Sequence, residues 1–127
     1  MDLNALHWVS GYAAGLAART AVSVAAAESE ISAGTALGTD PLDKRFTGER
    51  SYLRIGNDNT IREHYTISRG TAPESSTVIG DGNYIMTSGH IAHNCRIGNQ
   101  TVICSCALVA GYVEIEDQAF VSGGVAI

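Results

Sequence analysis

From Ile79 to the last residue of this 127-residue chain, every sixth position is aliphatic: Ile79, Ile85, Ile91, Ile97, Ile103, Val109, Ile115, Val121 and Ile127. The same count carried backwards reaches Ile67, Ile61, Ile55, Leu37 and Ile31, and all eleven isoleucines fall in this one class. A period of six matches neither the helical 3.6 nor the simple alternation of a strand. Strict self-similarity of this kind marks a stacked, quasi-one-dimensional fold. A coil with flat sides and sharp corners satisfies it, each side being a short strand that sends one aliphatic residue inward. Four places further on the residue is often small (Gly89, Cys95, Thr101, Ala107, Ala119), so a large and a small side chain share a narrow interior. Gly80, Gly98, Asn57, Asn83, Asn99 and Asp117 are expected at the corners, where positive φ or local side-chain hydrogen bonds are useful. Three sides close a prism, so residues 18 apart should stack on neighbouring coils at about 4.7–4.9 Å.

This is a hexapeptide repeat, and it resembles the left-handed parallel β-helix of the hexapeptide acyltransferases. The expected fold class is therefore all-β. The hand is implied by the resemblance, because the general rule for parallel crossovers gives the opposite one. The repeat by itself specifies a scaffold and no chemistry.

Composition narrows the partners. The net charge is −5 and no basic cluster occurs, which argues against nucleic-acid binding. No apolar run approaches the roughly 20 residues that span a bilayer, so no integral membrane segment is expected. The start, Met1-Asp2-Leu3-Asn4, lacks the positive region of a secretory signal, and a cytoplasmic location is the default. Cys95 takes an inward small position, and Cys104 and Cys106 lie on one strand with alternating directions. Cys-Ser-Cys lacks the paired spacing of a metal site, so all three read as reduced and structural, with no metal and no cofactor.

Residues 1–30 do not obey the repeat. They are Ala-rich, with Leu3, Leu6, Val9, Ala13 and Leu16 on one weak helical face that Gly11 and Gly15 interrupt. They form an N-terminal arm or cap, and a short helix would serve to cover the open end of the stack. Residues 31–127 form the repeat domain, with loops at 39–50 and 72–77. In the first loop Asp43 and Glu49 occupy sixfold positions that elsewhere are aliphatic, so this stretch is pushed out of the stack. Pro73 suits the second loop better than a central strand. The repeat is still running at Ile127, which leads us to expect a truncated chain or one completed by something outside this sequence.

Ser88-Gly89-His90-Ile91-Ala92-His93-Asn94-Cys95 places two histidines on either side of an inward Ile. Histidine titrates near neutral pH and can act as a general base. Eighteen residues beyond His93 stands Gly111, which leaves a backbone N–H uncovered about one strand spacing away. A base beside a bare N–H suits acyl transfer to an alcohol, the base taking the hydroxyl proton and the N–H holding the oxyanion. Corner residues without chemistry fit the spacing equally well.

The wording of these stretches adds to the spacing. Ile55-Gly-x-x-Asn-x-Ile-Arg-Glu, Thr66-Ile-x-Arg-Gly-Thr71 and His90-Ile-Ala-His93-x-Cys95 resemble the UDP-N-acetylglucosamine acyltransferases. Asp43-Lys44-Arg45-Phe46-Thr47-Gly48-Glu49 is similar to that family's Asp-Leu-Lys-Tyr-x-Gly-Glu. The resemblance implies transfer of a 3-hydroxyacyl group from acyl carrier protein to the 3-hydroxyl of UDP-N-acetylglucosamine, in lipid A synthesis, by a homotrimer with sites between subunits. It implies His93 as general base, Gly111 as oxyanion donor, and Asp43, Arg45, His90, Asn94 and Tyr112 as substrate contacts. Asn94 stands where the family commonly has Asp, and Tyr112 where it has His. The family's later His-Gln-Phe segment and C-terminal helical domain have no counterpart in this sequence, and residues 1–30 match none of its first coils.

Two other readings use the same scaffold. A γ-type carbonic anhydrase needs three His around zinc. It would find His90 and His93 but Tyr112 in the third place. A non-catalytic scaffold or fragment needs only the repeat.

Overall fold

The computed structural model describes residues 20–24 and 29–127, with side chains from 29 onward. The chain winds into a three-walled column of parallel strands. The first wall stacks Thr20–Val24, Ser51–Ile55, Ser76–Ile79, Arg96–Ile97 and Glu114–Ile115. The second stacks Glu30–Ile31, Thr60–Ile61, Tyr84–Ile85, Val102–Ile103 and Phe120–Val121. The third stacks Ala36–Thr39, Thr66–Ser68, His90–Ile91 and Leu108–Val109. The proposed capping helix falls within residues 1–19, outside the described residues.

The sixfold residues line the interior. Leu37, Ile61, Ile67, Ile85, Ile91 and Ile103 are fully buried, and Ile79, Ile97 and Val109 nearly so. Burial of each such side chain contributes roughly 1.5–3 kcal/mol. The interleaved class is also inward, with Gly89, Cys95, Thr101 and Ala107 buried as expected. Tyr65 is the large exception: Gly89 makes room for it, since a Cβ there would lie 2.5 Å from the Tyr65 ring.

Stacking follows the count of 18 only in the upper coils, where Ile91 pairs with Val109 and Ile97 with Ile115. Lower down Ile67 pairs with Ile91 and Ile55 with Ile79, 24 apart, and Ile31 with Ile61, 30 apart. The two loops account for the difference, each adding a multiple of six, so every wall keeps its phase. Val24 pairs with Ile55, 31 positions on. It sits one place out of the sixfold count, which is why spacing alone does not extend the column below Ile31.

The six residues expected at corners lie there, but positive φ is not the reason for two of them. Positive φ falls on the third residue of each four-residue corner, as at Asp58, His64, Ser88, Asn94, Gln100, Cys106, Tyr112 and Gln118, and not on Gly80 or Gly98. Those two are glycines because of close approach: a Cβ would sit 2.5 Å from Gly98 O in one case and 2.7 Å from Asp117 N in the other. Asn83 takes the last place of its corner and, as expected, bonds backbone groups with its side chain. It points inward and is buried, as is Asn59.

The edge where the first wall turns into the second is sealed by side chains. Asn57 N–H donates to Asp81 Oδ1 (2.7 Å), Asp81 N–H to Asn99 Oδ1 (2.8 Å) and Asn99 N–H to Asp117 Oδ1 (2.7 Å). Inside the same edge, Asn59 Oδ1 accepts from Asn83 N–H (2.9 Å), and Asn83 Oδ1 accepts from Thr101 N–H (2.8 Å). Buried amides are thereby paired, as they must be.

Candidate active site

The edge where the third wall returns to the first is different. Both loops leave the column there, the first between Thr39 and Ser51 and the second between Ser68 and Ser76. The second excursion thus ends earlier than the expected 72–77, because Thr77 is a buried strand residue whose hydroxyl accepts Asn94 N–H (2.8 Å). The two coils above carry His93 and Gly111 on this same edge.

The stack of His93 beneath Gly111 is close. A Cβ on Gly111 would lie 2.5 Å from His93 Cε1 and 2.7 Å from Nε2, so no residue with a side chain fits unless the ring moves. Tyr112 N–H donates to His93 O (3.0 Å) and Ala110 N–H to Ile127 O (2.8 Å), whereas Gly111 N–H has no hydrogen-bond partner among the described residues.

The proton on His93 can be placed from its surroundings. Asn94 faces the Thr71 backbone N–H at 2.9 Å, and a backbone N–H only donates, so the facing atom is the amide oxygen. Thr71 Oγ1 donates to that oxygen as well (2.9 Å), and His93 Nδ1 lies 3.2 Å from it. His93 therefore carries its hydrogen on Nδ1 and leaves the Nε2 lone pair free, on the side of Gly111. Thr71 Oγ1 has given its hydrogen to Asn94, so Tyr112 OH is the donor in its 3.2 Å bond to Thr71. The Tyr112 ring meets His93 edge-on, with centroids 5.4 Å apart.

Asp43 and Arg45 form one unit. Arg45 Nη2 lies 2.9 Å from Asp43 Oδ2 and Arg45 N–H 2.9 Å from Oδ1, and the Asp43 side chain is only 16 % exposed. The Arg45 side chain first, then its backbone N–H, hold the Asp43 carboxyl down at about 2, and the nearby His93 adds slightly in the same direction. Asp43, Arg45, Phe46, Thr71, Ala72 and Tyr112 line an open cleft of about 240 Å³. That is smaller than the roughly 300–1,000 Å³ usual for a small-molecule site.

His90 faces elsewhere. It is half-buried on the third wall, with Nδ1 2.7 Å from Thr66 Oγ1. It lines a neighbouring concavity with Thr39, Asp40, Leu42 and Thr66, so the first loop stands between it and the Asp43 cleft. Burial is the main cause that pushes the His90 imidazole below its ordinary value, with His93 adding to it. The structure thus brings His93, Gly111, Asn94 and Tyr112 together beside Asp43 and Arg45, and sets His90 one cleft away.

Sequence reasoning gave no role to Thr71, Thr66 or Arg69. Thr71 and Thr66 carry hydrogen bonds to Asn94 and His90. Arg69 is 1 % exposed and reaches back to the first loop. No repeat interval points to Arg69: Thr39 pairs with Ser68, 29 positions on and across a register shift, and this is what sets Arg69 above Asp40. Among the described residues, no three His, Cys, Asp or Glu side chains converge as a metal site would require.

Comparison with known proteins bears on the fold and on the family of these coils. No family model matches the chain. An acyl-[acyl-carrier-protein]–UDP-N-acetylglucosamine O-acyltransferase from Alkalilimnicola ehrlichii is 47 % identical over 89 residues, which is 68 % of this chain and 34 % of the relative. The enzyme of that name from Thermodesulfovibrio yellowstonii is 49 % identical over 87 residues, again 68 % of this chain and 34 % of the relative. The crystal structure of an Arabidopsis UDP-N-acetylglucosamine acyltransferase superposes with a TM-score of 0.76 at 38 % identity, covering 78 % of this chain and 35 % of its own. The coils described here are homologous to those of the UDP-N-acetylglucosamine acyltransferases. With that homology the column is a left-handed parallel β-helix. The chain spans about a third of the length of the acyltransferases it matches. No helix among the described residues is long and apolar enough to cross a membrane.

Proposed function

We propose that this protein transfers a 3-hydroxyacyl group from acyl carrier protein to the 3-hydroxyl of UDP-N-acetylglucosamine, the first step of lipid A synthesis. The observation that carries the proposal is His93 Nε2 packed against Gly111, whose N–H has no partner among the described residues, with the opposite ring nitrogen tied to Asn94. His93 Nε2 takes the proton of the sugar hydroxyl as its oxygen attacks the thioester carbonyl. Gly111 N–H stabilises the resulting oxyanion. Collapse of the tetrahedral intermediate breaks the C–S bond, and the departing thiolate takes the proton back from the imidazolium. A base of this kind contributes roughly 10²–10⁴-fold and one oxyanion donor roughly 10²–10³-fold.

In this reading Asp43 accepts hydrogen bonds from the sugar, Arg45 sits near the charged groups of the substrate, and Tyr112 closes the cleft above His93. His90 addresses a different part of the substrates from its own concavity. The small, open cleft supports a homotrimer in which a neighbouring subunit supplies a further wall. The reaction places the protein in the cytoplasm, where acyl carrier protein is found.

The test is acyl transfer by the purified full chain, with 3-hydroxyacyl carrier protein and UDP-N-acetylglucosamine as substrates. Turnover that His93→Ala abolishes supports the proposal. A folded chain that neither turns over nor binds UDP-N-acetylglucosamine would leave a non-catalytic scaffold as the better reading.

A further inference from the structure

The part of the loop that bears Asp43 and Arg45 is held to the column through one side chain, while Arg50 at the loop's exit accepts Glu74 N–H on its carbonyl (2.8 Å). Within the loop, Arg45 N–H bonds to Asp43 Oδ1, Phe46 N–H to Asp43 O and Thr47 N–H to Glu49 Oε2, so its internal bonds fix its shape and not its position. Among the described residues, every hydrogen bond from residues 40–49 to the rest of the protein goes to Arg69. Its Nη2 meets Asp40 Oδ1 at 2.8 Å where the loop begins, and its Nη1 meets Glu49 O at 2.6 Å where it ends. Nη1 also bonds Ser51 Oγ at 2.8 Å, on the first strand residue after the loop. The guanidinium lies over the Phe46 ring in the middle of the loop, 4.8 Å from its centroid.

This guanidinium is expensive to place. Its side chain is 2 % exposed, whereas the one carboxylate that pairs with it is 63 % exposed. A buried cation requires a full set of partners, and here nearly all of them belong to the loop. A planar fork can face two directions at once and stack as well, which a lysine cannot do.

We propose that Arg69 is a positioning residue: it fixes the Asp43–Arg45 pair at a set distance from His93. The segment that carries it continues to Thr71, which holds Asn94 and so the tautomer of His93. One short stretch therefore locates the sugar-binding loop on one side and the base on the other. The inference rests on the acyltransferase reading for what the loop binds, and stands apart from it for how the loop is held.

The test uses the full chain with Asp40→Asn and Arg69→Lys. Asp40 is exposed, so its replacement loosens the loop without emptying the column. Hydrogen exchange at the backbone amides of positions 69 and 74, which bond Thr39 O and Arg50 O at the two ends of the loop, should rise about tenfold or more in both variants, with exchange at Ile85, Ile91 and Ile103 unchanged. Calorimetric titration with UDP-N-acetylglucosamine should weaken about tenfold, and in a turnover assay the loss should fall on KM more than on kcat. Asp40→Glu, which keeps the charge, should recover most of both effects. Loop exchange and nucleotide-sugar affinity equal to the parent chain in Asp40→Asn and Arg69→Lys would overturn the proposal. A parent chain that does not bind UDP-N-acetylglucosamine removes the acyltransferase reading, and the exchange measurement still decides the role of Arg69.

Discussion

Two edges of one column have the same corner geometry and opposite treatment. At the second residue of each corner the backbone N–H points away from the strand ladder. On the first edge Asp81, Asn99 and Asp117 each cap the N–H of the coil below, and Asn59 and Asn83 repeat the pattern inside. On the third edge the same position holds His93 and then Gly111, which has no side chain to cap the His93 N–H below it, so that N–H has no partner among the described residues. Backbone geometry therefore supplies a donor at every corner, and the side chain on the next coil decides whether that donor is spent on the fold or kept for a ligand. The third edge also receives both loops, so this corner stands beside the cleft that Asp43, Arg45, Thr71 and Tyr112 line.

The sharpest way to break this contrast is to remove the base. His93→Ala should lower acyl transfer by roughly 10²–10⁴-fold in a steady-state assay, with the far-ultraviolet spectrum unchanged. Gly111→Ala comes next. The added Cβ must push the His93 ring away, and a loss of roughly 10²-fold is expected with little change in melting temperature. Its counterpart on the sealed edge is Gly98→Ala, whose Cβ would meet Asp117. That change should cost about 1–3 kcal/mol of stability in a denaturant titration and leave turnover per folded molecule intact. If the two glycines behave alike, the edges are not functionally distinct. Asn99→Ala, which uncaps Asp81 N–H, should cost about 0.5–1.5 kcal/mol, read as a drop of a few degrees in thermal unfolding.

The smallest effect is in the titration of His90. Burial lowers its imidazole below the ordinary 6.5, so the unfolded chain binds this proton more readily than the folded one. Its contribution to stability is complete above 6.5 and declines as pH falls below that value. An NMR titration of the His90 ring should show a midpoint under 6.5, and a midpoint above it would contradict the burial. Asp43 stays ionised throughout this range because Arg45 holds it down, so its charge does not confuse the measurement.

The column was legible because a period of six is a global constraint: a slip of one place would turn every isoleucine downstream out of the interior. His93 and Gly111 were legible for the same reason, since the coils between them are regular and 18 positions locate a neighbour. Arg69 and Thr71 were not. Their partners lie 29, 20 and 23 positions away, intervals set by loop lengths that no repeat reports. The corners were misread at Gly80 and Gly98 because glycine can answer to a positive φ or to a crowded neighbour, and only the packing of the next coil tells these apart.

The two loops lengthen their coils by twelve and six residues, and this has an evolutionary consequence. Insertions on this backbone are counted in hexads, much as those in a coding sequence are counted in triplets. A segment of any other length would rotate all later walls unless a compensating bulge absorbed it, as happens near Gly38. New recognition elements can be added to such a chain without redesigning its interior, provided they arrive in whole steps.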